Sequence, residues 1–281
     1  MTTYIENFNQ ISWESLTRKI ESVTREKVFL AINREGRGGT DDFIALVSPL
    51  ASKEFLEPIA RLSHSLTEKR FGKAMRLFAP LYLSNECNNV CDYCGFSLGN
   101  KIVRKTLNEA EILREAGLLR KMGFDHVLLV TGESLKKVGL DYINQALRTL
   151  RPYFSNLSIE VQPMQQEDYE SLKANGLHAV LVYQETYNRE SYAKHHIKGK
   201  KSNFDWRLAT PDRLGKQVYI KLGLVACSVL PRIGELMLFL LPIIWIIYRE
   251  NIGKPNIRCL SQDSVHVRVK FLQKLLLVIE I

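Results

Sequence analysis

The stretch that decides the fold is LFAPLYLSNECNNVCDYC, residues 77–94, in which a short apolar segment leads directly into three cysteines. Residues 77–84 predict a β-strand, with Pro80 as its one unfavourable residue. Cys87, Cys91 and Cys94 follow with spacings of three and two residues. Thiolates are soft ligands that suit zinc or iron–sulfur clusters. The stretch therefore predicts a metal-binding loop at the end of a strand.

The cysteine count bears on which metal this loop binds. A structural zinc site is usually closed by four ligands, often as two C-x2-C pairs, and no obvious fourth ligand follows Cys94. Three thiolates on a four-iron cluster leave one iron free for a substrate or cofactor. The spacing favours an iron–sulfur cluster, and zinc remains the alternative.

Strand and helix patterns alternate downstream of the cysteines. The strand patterns cover residues 126–133, 157–163 and 179–187, and the helical patterns cover residues 106–124, 141–154 and 166–177. Near-continuous apolar strands separated by helices are typical of a parallel sheet with right-handed crossovers. We therefore predict an α/β fold, with the chemistry at the C-terminal ends of the strands. In the first of these helices, Thr106 is the expected N-cap, Glu109 completes a capping box and Gly123 ends the helix.

The segment before the first strand has a different pattern. Apolar residues recur at near-helical spacing over 11–33, and residues 41–70 predict two or three short helices, with Pro49 and Pro58 near their starts. We predict a helical extension over residues 1–72, followed by a core domain over residues 73–216.

Composition narrows the class of protein. A chain of 281 residues can bury a sizeable core. The net charge of +9 comes without a dense Lys/Arg block, which favours a solvated basic surface over a nucleic-acid site. The start of the chain lacks signal-peptide features. Five cysteines, three of them crowded together, do not suggest a secreted disulfide framework, so we expect a cytoplasmic protein.

These residues resemble a known family. C-x3-C-x2-C after the first strand of a β/α unit is the signature of the radical S-adenosylmethionine (SAM) superfamily. Within it, LVYQETY (181–187), GKKSNFDWRLATPDR (199–213) and the cysteine segment look like the 2-iminoacetate synthases, the tyrosine lyases of thiamine-thiazole biosynthesis. The resemblance covers about residues 10–216, and YQETY and RLATPDR are its most specific parts.

The resemblance implies a fold and a reaction. The fold is a partial (β/α) barrel. A 4Fe–4S cluster on Cys87, Cys91 and Cys94 chelates SAM, and one electron cleaves SAM to a 5′-deoxyadenosyl radical. This radical takes a hydrogen from the amino group of L-tyrosine, which breaks into 2-iminoacetate and p-cresol. The implied partners are L-tyrosine, an electron donor such as flavodoxin or ferredoxin, and the thiazole synthase subunit. No nucleic acid or membrane is implied.

The resemblance also carries site residues over to this sequence, none of them as a catalytic group. Tyr93 stands where the family has an aromatic residue beside the adenine, although simple packing would also explain it. Thr131, Gly132 and Glu133 match the segment that meets the SAM amino group, although they also fit a strand-ending turn with a helix cap. The further residues implied to contact SAM are Glu160 and Gln162, and those implied to contact substrate are Gln184, Glu185, Arg207 and Arg213.

Two of these residues keep an open alternative, and two neighbours receive no role. Arg207 and Arg213 suit a bidentate grip on a carboxylate, but a surface ion pair explains them equally well. His195 and His196 are adjacent in the sequence, and we assign them no function.

The last 65 residues do not continue the resemblance. Residues 236–248, LMLFLLPIIWIIY, form an apolar run that is shorter than the roughly 20 residues a membrane-spanning helix needs. When triplets are formed from the last base of each codon and the first two bases of the next, starting at Lys216, they permit AGIHKIGLG and further segments typical of the family. We therefore predict that residues 217–281 are an out-of-frame tail, that Cys227 and Cys259 are not cluster ligands, and that this chain is inactive as written.

Two alternatives to this function stay open. The first is the tyrosine lyase of hydrogenase maturation, which carries a second cluster on a C-terminal cysteine motif that neither reading frame supplies here. The second is a non-catalytic fragment that binds zinc or associates with a membrane.

Overall fold

The computed structural model describes residues 3–74 and 77–215 in full, and beyond them only the backbone of three short strands. Within these residues the chain forms two compact units, and their boundary falls between residues 76 and 77. The predicted domain limits are close to this division but remain a prediction. The apolar run 236–248 and Cys227 lie outside the described residues.

The first unit is helical, as its sequence pattern predicts. The apolar pattern over 11–33 corresponds to two helices rather than one, because Thr24 caps a new helix by accepting a hydrogen bond from the amide of Lys27. Pro49 stands at the first turn of its helix, where proline is well tolerated. The helices described in this unit are α1 (Tyr4–Asn9), α2 (Trp13–Glu21), α3 (Arg25–Asn33), α4 (Thr40–Leu46), α5 (Pro49–Glu54) and α6 (Leu56–Phe71).

This unit has a core of small and β-branched side chains. Val28, Ala31, Ala45 and Ala51 are almost fully buried and pack together, with partly buried apolar side chains around them. Small residues let α3, α4 and α5 approach one another closely. The helical extension is therefore a packed unit and not a set of independent helices.

The second unit is built on a parallel sheet. Its strands are β1 (Ala79–Ser84), β3 (His126–Thr131), β4 (Asn156–Glu160) and β5 (Leu177–Glu185), and they neighbour one another in that order. The register places Leu129 beside Leu81 on one side and beside Ile159 on the other. All three pairings are parallel, which confirms the predicted α/β fold.

Helices connect these strands as expected from the periodicity. They are α7 (Glu109–Lys121) after β1, α8 (Leu140–Leu150) after β3 and α9 (Gln166–Ala174) after β4. The amphipathic pattern of α8 turns Ile143, Leu147 and Leu150 inward, where they are fully buried. Each of these helices returns the chain to the end of the sheet at which the previous strand began, as parallel pairing requires.

The start of α7 differs from the expectation. Asn108 is the N-cap, and it exchanges hydrogen bonds with Glu111 across 3.0 and 2.9 Å. The predicted cap at Thr106 with Glu109 is wrong, because Thr106 still forms a β-bridge with Ser84 and bonds its hydroxyl at 2.8 Å. The predicted end at Gly123 is confirmed, since this residue follows the C-cap with a φ of +90° that favours glycine.

A second, two-stranded sheet joins distant parts of the chain. β2 (Val90–Cys91) lies within the cysteine loop and pairs antiparallel with β6 (His196–Lys198). The remaining described helices are α10 (Arg189–His195), a 3-10 turn (Lys200–Ser202), α11 (Phe204–Leu208) and α12 (Thr210–Gly215).

Three strands follow the fully described part of the chain. They are β7 (Lys221–Ala226), β8 (Arg258–Ser261) and β9 (Leu277–Glu280). The neighbour of β5 in the sheet is β7, which is the place of a fifth strand, and β7 pairs antiparallel with β9. A search of the described residues finds no helix with the length and apolar character to cross a bilayer.

Candidate active site

The cysteine loop leaves the C-terminal end of β1 and is fixed by backbone contacts. Arg104 donates to the carbonyls of Asn85, Phe96 and Ser97, the last two at 2.9 and 2.7 Å. The amide of Cys91 donates to Ser97 Oγ at 3.1 Å. One guanidinium thus ties both ends of the loop together, so the loop has a defined shape.

The three cysteines are free thiols, and Cys87 and Cys91 are buried. Burial raises the pKa of Cys91 to about 11, and negative charge on Cys94 and Cys87 adds to this effect while Lys201 opposes it. Among the described residues, no three Cys, His, Asp or Glu side chains are grouped so that they could hold a single metal ion. In a four-iron cluster each cysteine binds a different iron, so its three sulfurs need not converge on one point.

Gly132, at the end of β3, faces the cysteine loop at close range. A Cβ atom on this residue would lie 2.4 Å from the carbonyl oxygen of Glu86 and 3.1 Å from Cys87 Cβ. The amide of Gly132 donates to the carbonyl of Ser84 at 2.9 Å. Only glycine allows this approach of two backbones, which explains the residue in the TGE segment.

Glu133, just after β3, forms a buried ion pair with Arg207 of α11. Its carboxylate accepts from Arg207 and, at 2.8 Å, from Asn89. The two charged side chains are 14% and 4% exposed. Burial acts to raise the pKa of Glu133, but the positive charges of Arg207 and Lys201 outweigh it and hold the pKa below its usual value. Glu133 is therefore an ionised carboxylate fixed beside the cysteine loop.

A second ion pair lies next to the first. Lys201 Nζ contacts Glu185 Oε1 at 2.7 Å, with both side chains largely buried. Glu185 has a φ of +65°, in the left-handed region that non-glycine residues rarely adopt. Burial, and then the charge of Glu185, raise the pKa of Glu160 to about 7. Two of the three acidic side chains, at 133 and 185, thus have a basic partner, whereas Glu160 experiences only the field of Lys201 and Arg207.

Tyr93 and two histidines lie on the other side of the loop. Tyr93 Oη is 2.7 Å from His196 Nε2, and His195 Nδ1 is 2.8 Å from Asp92 Oδ2. Burial lowers the pKa of His196 to about 4, so its ring is neutral at physiological pH. The side chain of Tyr93 remains 38% exposed between the last two cysteines.

The comparisons with known proteins identify the superfamily of this chain. The model of the radical SAM superfamily matches residues 81–226, about half of the chain. This chain belongs to the radical SAM superfamily. The match includes all three cysteines and every residue assigned to the site.

The sequence relatives include the 2-iminoacetate synthases of Salmonella typhimurium and Escherichia coli. Each is 49% identical to this chain over 226 residues, which are 80% of this chain and 59% of the relative. The 3-methylornithine synthase of Methanosarcina barkeri is 29% identical over 164 residues, or 57% of this chain and 46% of the relative. The chain thus spans under two thirds of the curated relatives it matches.

Solved structures support the same fold. HydG, a maturase of the FeFe-hydrogenase, superposes with a TM-score of 0.81 at 25% identity, covering 88% of this chain and 57% of HydG. Methylornithine synthase (PylB) superposes with a TM-score of 0.57 at 25% identity, covering 67% and 56%. The fold is therefore the partial barrel of radical SAM enzymes.

Radical SAM enzymes use a 4Fe–4S cluster and SAM, and the residues present fit both groups. Three reduced thiols supply the ligands of the cluster. Three buried polar atoms of the site, Thr131 Oγ1, Gln162 Oε1 and Arg207 Nε, have no hydrogen-bond partner among the described residues. Buried polar groups are normally paired, so these atoms are suited to a polar ligand.

Of the four residues expected at the substrate, Glu185 and Arg207 form the ion pairs described above, and Gln184 and Arg213 have other protein partners. Gln184 is buried and donates to the carbonyl of Phe204 at 3.5 Å. Arg213 donates to the carbonyls of Met164 and Trp206, both at 2.8 Å, and its guanidinium stacks 3.8 Å from the Trp206 ring. Their substrate roles stay predictions, because each side chain would have to change partners to bind a ligand.

The sequence reasoning missed four residues of this region. Asn89 and Lys201 link the cysteine loop to Glu133 and Glu185, and His195 and His196 hold Asp92 and Tyr93. The contacts of Asn89 with Lys201, of Asp92 with His195 and of Tyr93 with His196 join positions 112, 103 and 103 residues apart. The adjacent pair of histidines just before GKK is the one local signal that could have drawn attention to them.

Proposed function

We propose that this chain carries the core of a tyrosine lyase, which cleaves L-tyrosine to 2-iminoacetate and p-cresol. The observation that carries the proposal is the 49% identity to 2-iminoacetate synthases over 226 residues. An alignment that covers 80% of the chain must include most of the second unit. The identity to HydG is 25%, which makes the hydrogenase-maturation enzyme the weaker candidate. Zinc binding is disfavoured by membership of a superfamily that binds a cluster at this motif.

The chain's own residues have separate tasks in this proposal. Cys87, Cys91 and Cys94 hold the cluster, which together with SAM supplies the one-electron chemistry that removes a hydrogen atom from the substrate. Glu133 is ionised before any ligand arrives, because Arg207 stabilises its charge. It can therefore accept hydrogen bonds from the ammonium group of SAM without first losing a proton.

The two remaining acidic residues of the site differ in their partners. Glu185 is neutralised by Lys201, whereas no hydrogen bond or ion pair is described for Glu160. With its pKa raised to about 7, the carboxyl of Glu160 is partly protonated at neutral pH. In the proposed function this group donates or accepts a hydrogen bond at the ligand according to its proton. Gln162 Oε1 offers a second acceptor near the same strand end.

The experiment is anaerobic reconstitution of the full chain with iron and sulfide. We expect about four irons per chain, and formation of 5′-deoxyadenosine when SAM and a reductant are added. Formation of p-cresol from L-tyrosine by the frame-corrected chain tests the substrate. Zinc retained in place of iron, or an absence of 5′-deoxyadenosine from iron-loaded protein, would contradict the proposal. Flavodoxin or ferredoxin is the proposed physiological reductant, and the thiazole synthase subunit the proposed partner.

We also propose that residues 217–281 come from a changed reading frame. The match to the superfamily ends at residue 226, close to the proposed change of frame and far short of residue 281. Sequencing the gene and its transcript across codons 210–230 tests this directly. A version whose triplets begin one base earlier from this region should form p-cresol, whereas the chain as written should not. Equal p-cresol formation by both chains would refute the frame proposal and leave the cluster proposal intact.

A further inference from the structure

Residues 195–201, here called the strap, follow the cysteine loop closely. The strap contacts consecutive loop positions from 88 to 93. Its contacts are Gly199 with Asn88 and Asn89, the Lys201 amide with Asn89 Oδ1, Lys198 paired with Val90, His196 paired with Cys91, His195 with Asp92, and His196 with Tyr93. The strap is separated from the loop by about 100 residues in sequence, so tertiary folding brings the two segments together.

Gly199 shows how close this fit is. Its φ is +97°, and a Cβ atom would lie 2.2 Å from Asn89 Oδ1 and 2.8 Å from the carbonyl oxygen of Asn88. Neither the backbone conformation nor the space admits a side chain. Gly132 also approaches the loop, at Glu86 and Cys87, too closely for a side chain. The cysteine loop is thus held by glycines of two different segments.

His196 is the buried centre of the strap, and its hydrogen bonds define its tautomer. Nδ1 is 2.7 Å from the carbonyl oxygen of Tyr192, which can only accept, so Nδ1 carries the proton. In a neutral ring Nε2 is then an acceptor, and the hydroxyl of Tyr93 donates to it. The His196 ring also stacks on Tyr192, with ring centres 3.8 Å apart. His196 is therefore rigidly placed and points one acceptor at Tyr93.

Tyr93 in turn is oriented by the strap. Its ring packs edge-on against His196 at 5.5 Å and His195 at 6.5 Å, and Lys201 Nζ lies 5.7 Å from its centre. With these contacts in place Tyr93 remains 38% exposed. A partly exposed aromatic ring fixed beside the cysteines is suited to stacking with a planar heteroaromatic group.

We propose that His196 is a positioning residue, which fixes the ring of Tyr93 at the cysteine loop and so prepares a stacking surface for the adenine of SAM. The inference rests on the proposed function for the identity of the ligand. It adds that SAM affinity depends on the hydrogen bond between Tyr93 and His196. His196 lies in a segment far from the cysteines in sequence.

The test is a double-mutant cycle in the reconstituted full chain. His196→Phe keeps an aromatic ring on Tyr192 but removes the acceptor, and Tyr93→Phe keeps the stacking ring but removes the donor. Each should weaken SAM binding about five- to tenfold, as expected for loss of one buried hydrogen bond. Because both changes remove the same bond, the double variant should bind SAM no more weakly than either single variant. His196→Gln retains an acceptor and should restore most of the affinity.

Equilibrium dialysis with radiolabelled SAM gives the affinity, and iron per chain shows whether the cluster has formed. The SAM-dependent change in the electron paramagnetic resonance spectrum of the reduced cluster is a second readout. Tyr142→Phe is the matched control, because it removes a tyrosine hydrogen bond to the carbonyl of Leu107, outside the site. This control should bind SAM as the parent does.

The outcomes separate the inference from the proposed function. Effects of His196→Phe and Tyr93→Phe that add, or parental SAM affinity in His196→Phe, would overturn the positioning role while the cluster assignment stands. Failure of the parent to bind iron would overturn the proposed function. Hydrogen exchange in the metal-free chain then still decides the inference: His196→Phe should accelerate exchange across residues 91–94, and unchanged exchange there would refute it.

Discussion

Replacing Arg207 by methionine should destabilise the second unit far more than an ordinary arginine substitution. Arg207 is 4% exposed, and it neutralises Glu133 while also donating to the carbonyl of Tyr183 at 3.1 Å. Removing one partner of a buried ion pair costs about 3–5 kcal/mol, because the other charge is left buried and unpaired. Glu133 keeps its hydrogen bond from Asn89 and the field of Lys201. We therefore expect the lower end of that range, about 3 kcal/mol.

The measurement is urea unfolding of the metal-free chain under reducing conditions, followed by circular dichroism. With a slope of about 2 kcal/mol per molar urea, a loss of about 3 kcal/mol moves the midpoint down by about 1.5 M. Arg114→Met is the control, because its ion pair with Glu115 is exposed on the surface of α7. Exposed pairs contribute little, so this change should stay within about 0.5 kcal/mol.

A double variant makes the prediction sharper. Combining Arg207→Met with Glu133→Gln removes both charges, so it should recover part of the loss seen with Arg207→Met alone. A loss below about 1 kcal/mol for Arg207→Met would refute the reasoning. Additive losses of stability would also refute it. If Arg207→Met and Glu133→Gln together cost the sum of their separate free-energy losses, the two charges do not stabilise one another.

Three further predictions follow from the same site. Cys91→Ala should abolish stable iron binding, measured as iron and sulfide per chain, whereas Cys259→Ala should leave it unchanged; retention of parental iron in Cys91→Ala would contradict the cluster assignment. Gly132→Ala should also lower the iron content, because its Cβ would lie 2.4 Å from the carbonyl of Glu86, and a parental iron content would show that the loop yields easily. The raised pKa of Glu160 means that the folded state binds the proton more tightly than the unfolded state does, so this residue lowers stability as pH rises from about 4.5 to about 7. Glu160→Gln should therefore gain stability relative to the parent at pH 8 compared with pH 5, and a pH-independent difference in urea midpoint would count against it.

The order of strands and helices could be predicted from the sequence because it depends on local periodicity. Apolar runs such as those at 126–133 and 179–187 can only be buried strands between helices of this length, and their parallel pairing follows from the crossovers. Helix boundaries depend on tertiary contacts as well as on the local pattern. Thr106 and Asn108 are both good caps, and the β-bridge of Thr106 to Ser84 decides between them. That bridge is a tertiary contact, which no local pattern reports.

The site could be predicted only in part, for the same reason. The cysteines are recognisable because their spacing is local. Arg207 was expected to grip a carboxylate, and in the structure that carboxylate belongs to Glu133, 74 residues earlier in the chain. The sequence shows that an arginine is available but not which acid it meets. His196 likewise reads as one of two adjacent histidines until the folded unit brings it to Tyr93.

The distance in sequence between the strap and the cysteine loop has a consequence during synthesis. Tyr93 and His196 are 103 residues apart, and a ribosome adds about 5–20 residues per second. The thiols therefore leave the ribosome about 5–20 seconds before the segment that shapes their loop has been made. During that interval they are unprotected against oxidation and against other metals. Until the strap has been made and has docked, the cell must keep three closely spaced thiols reduced.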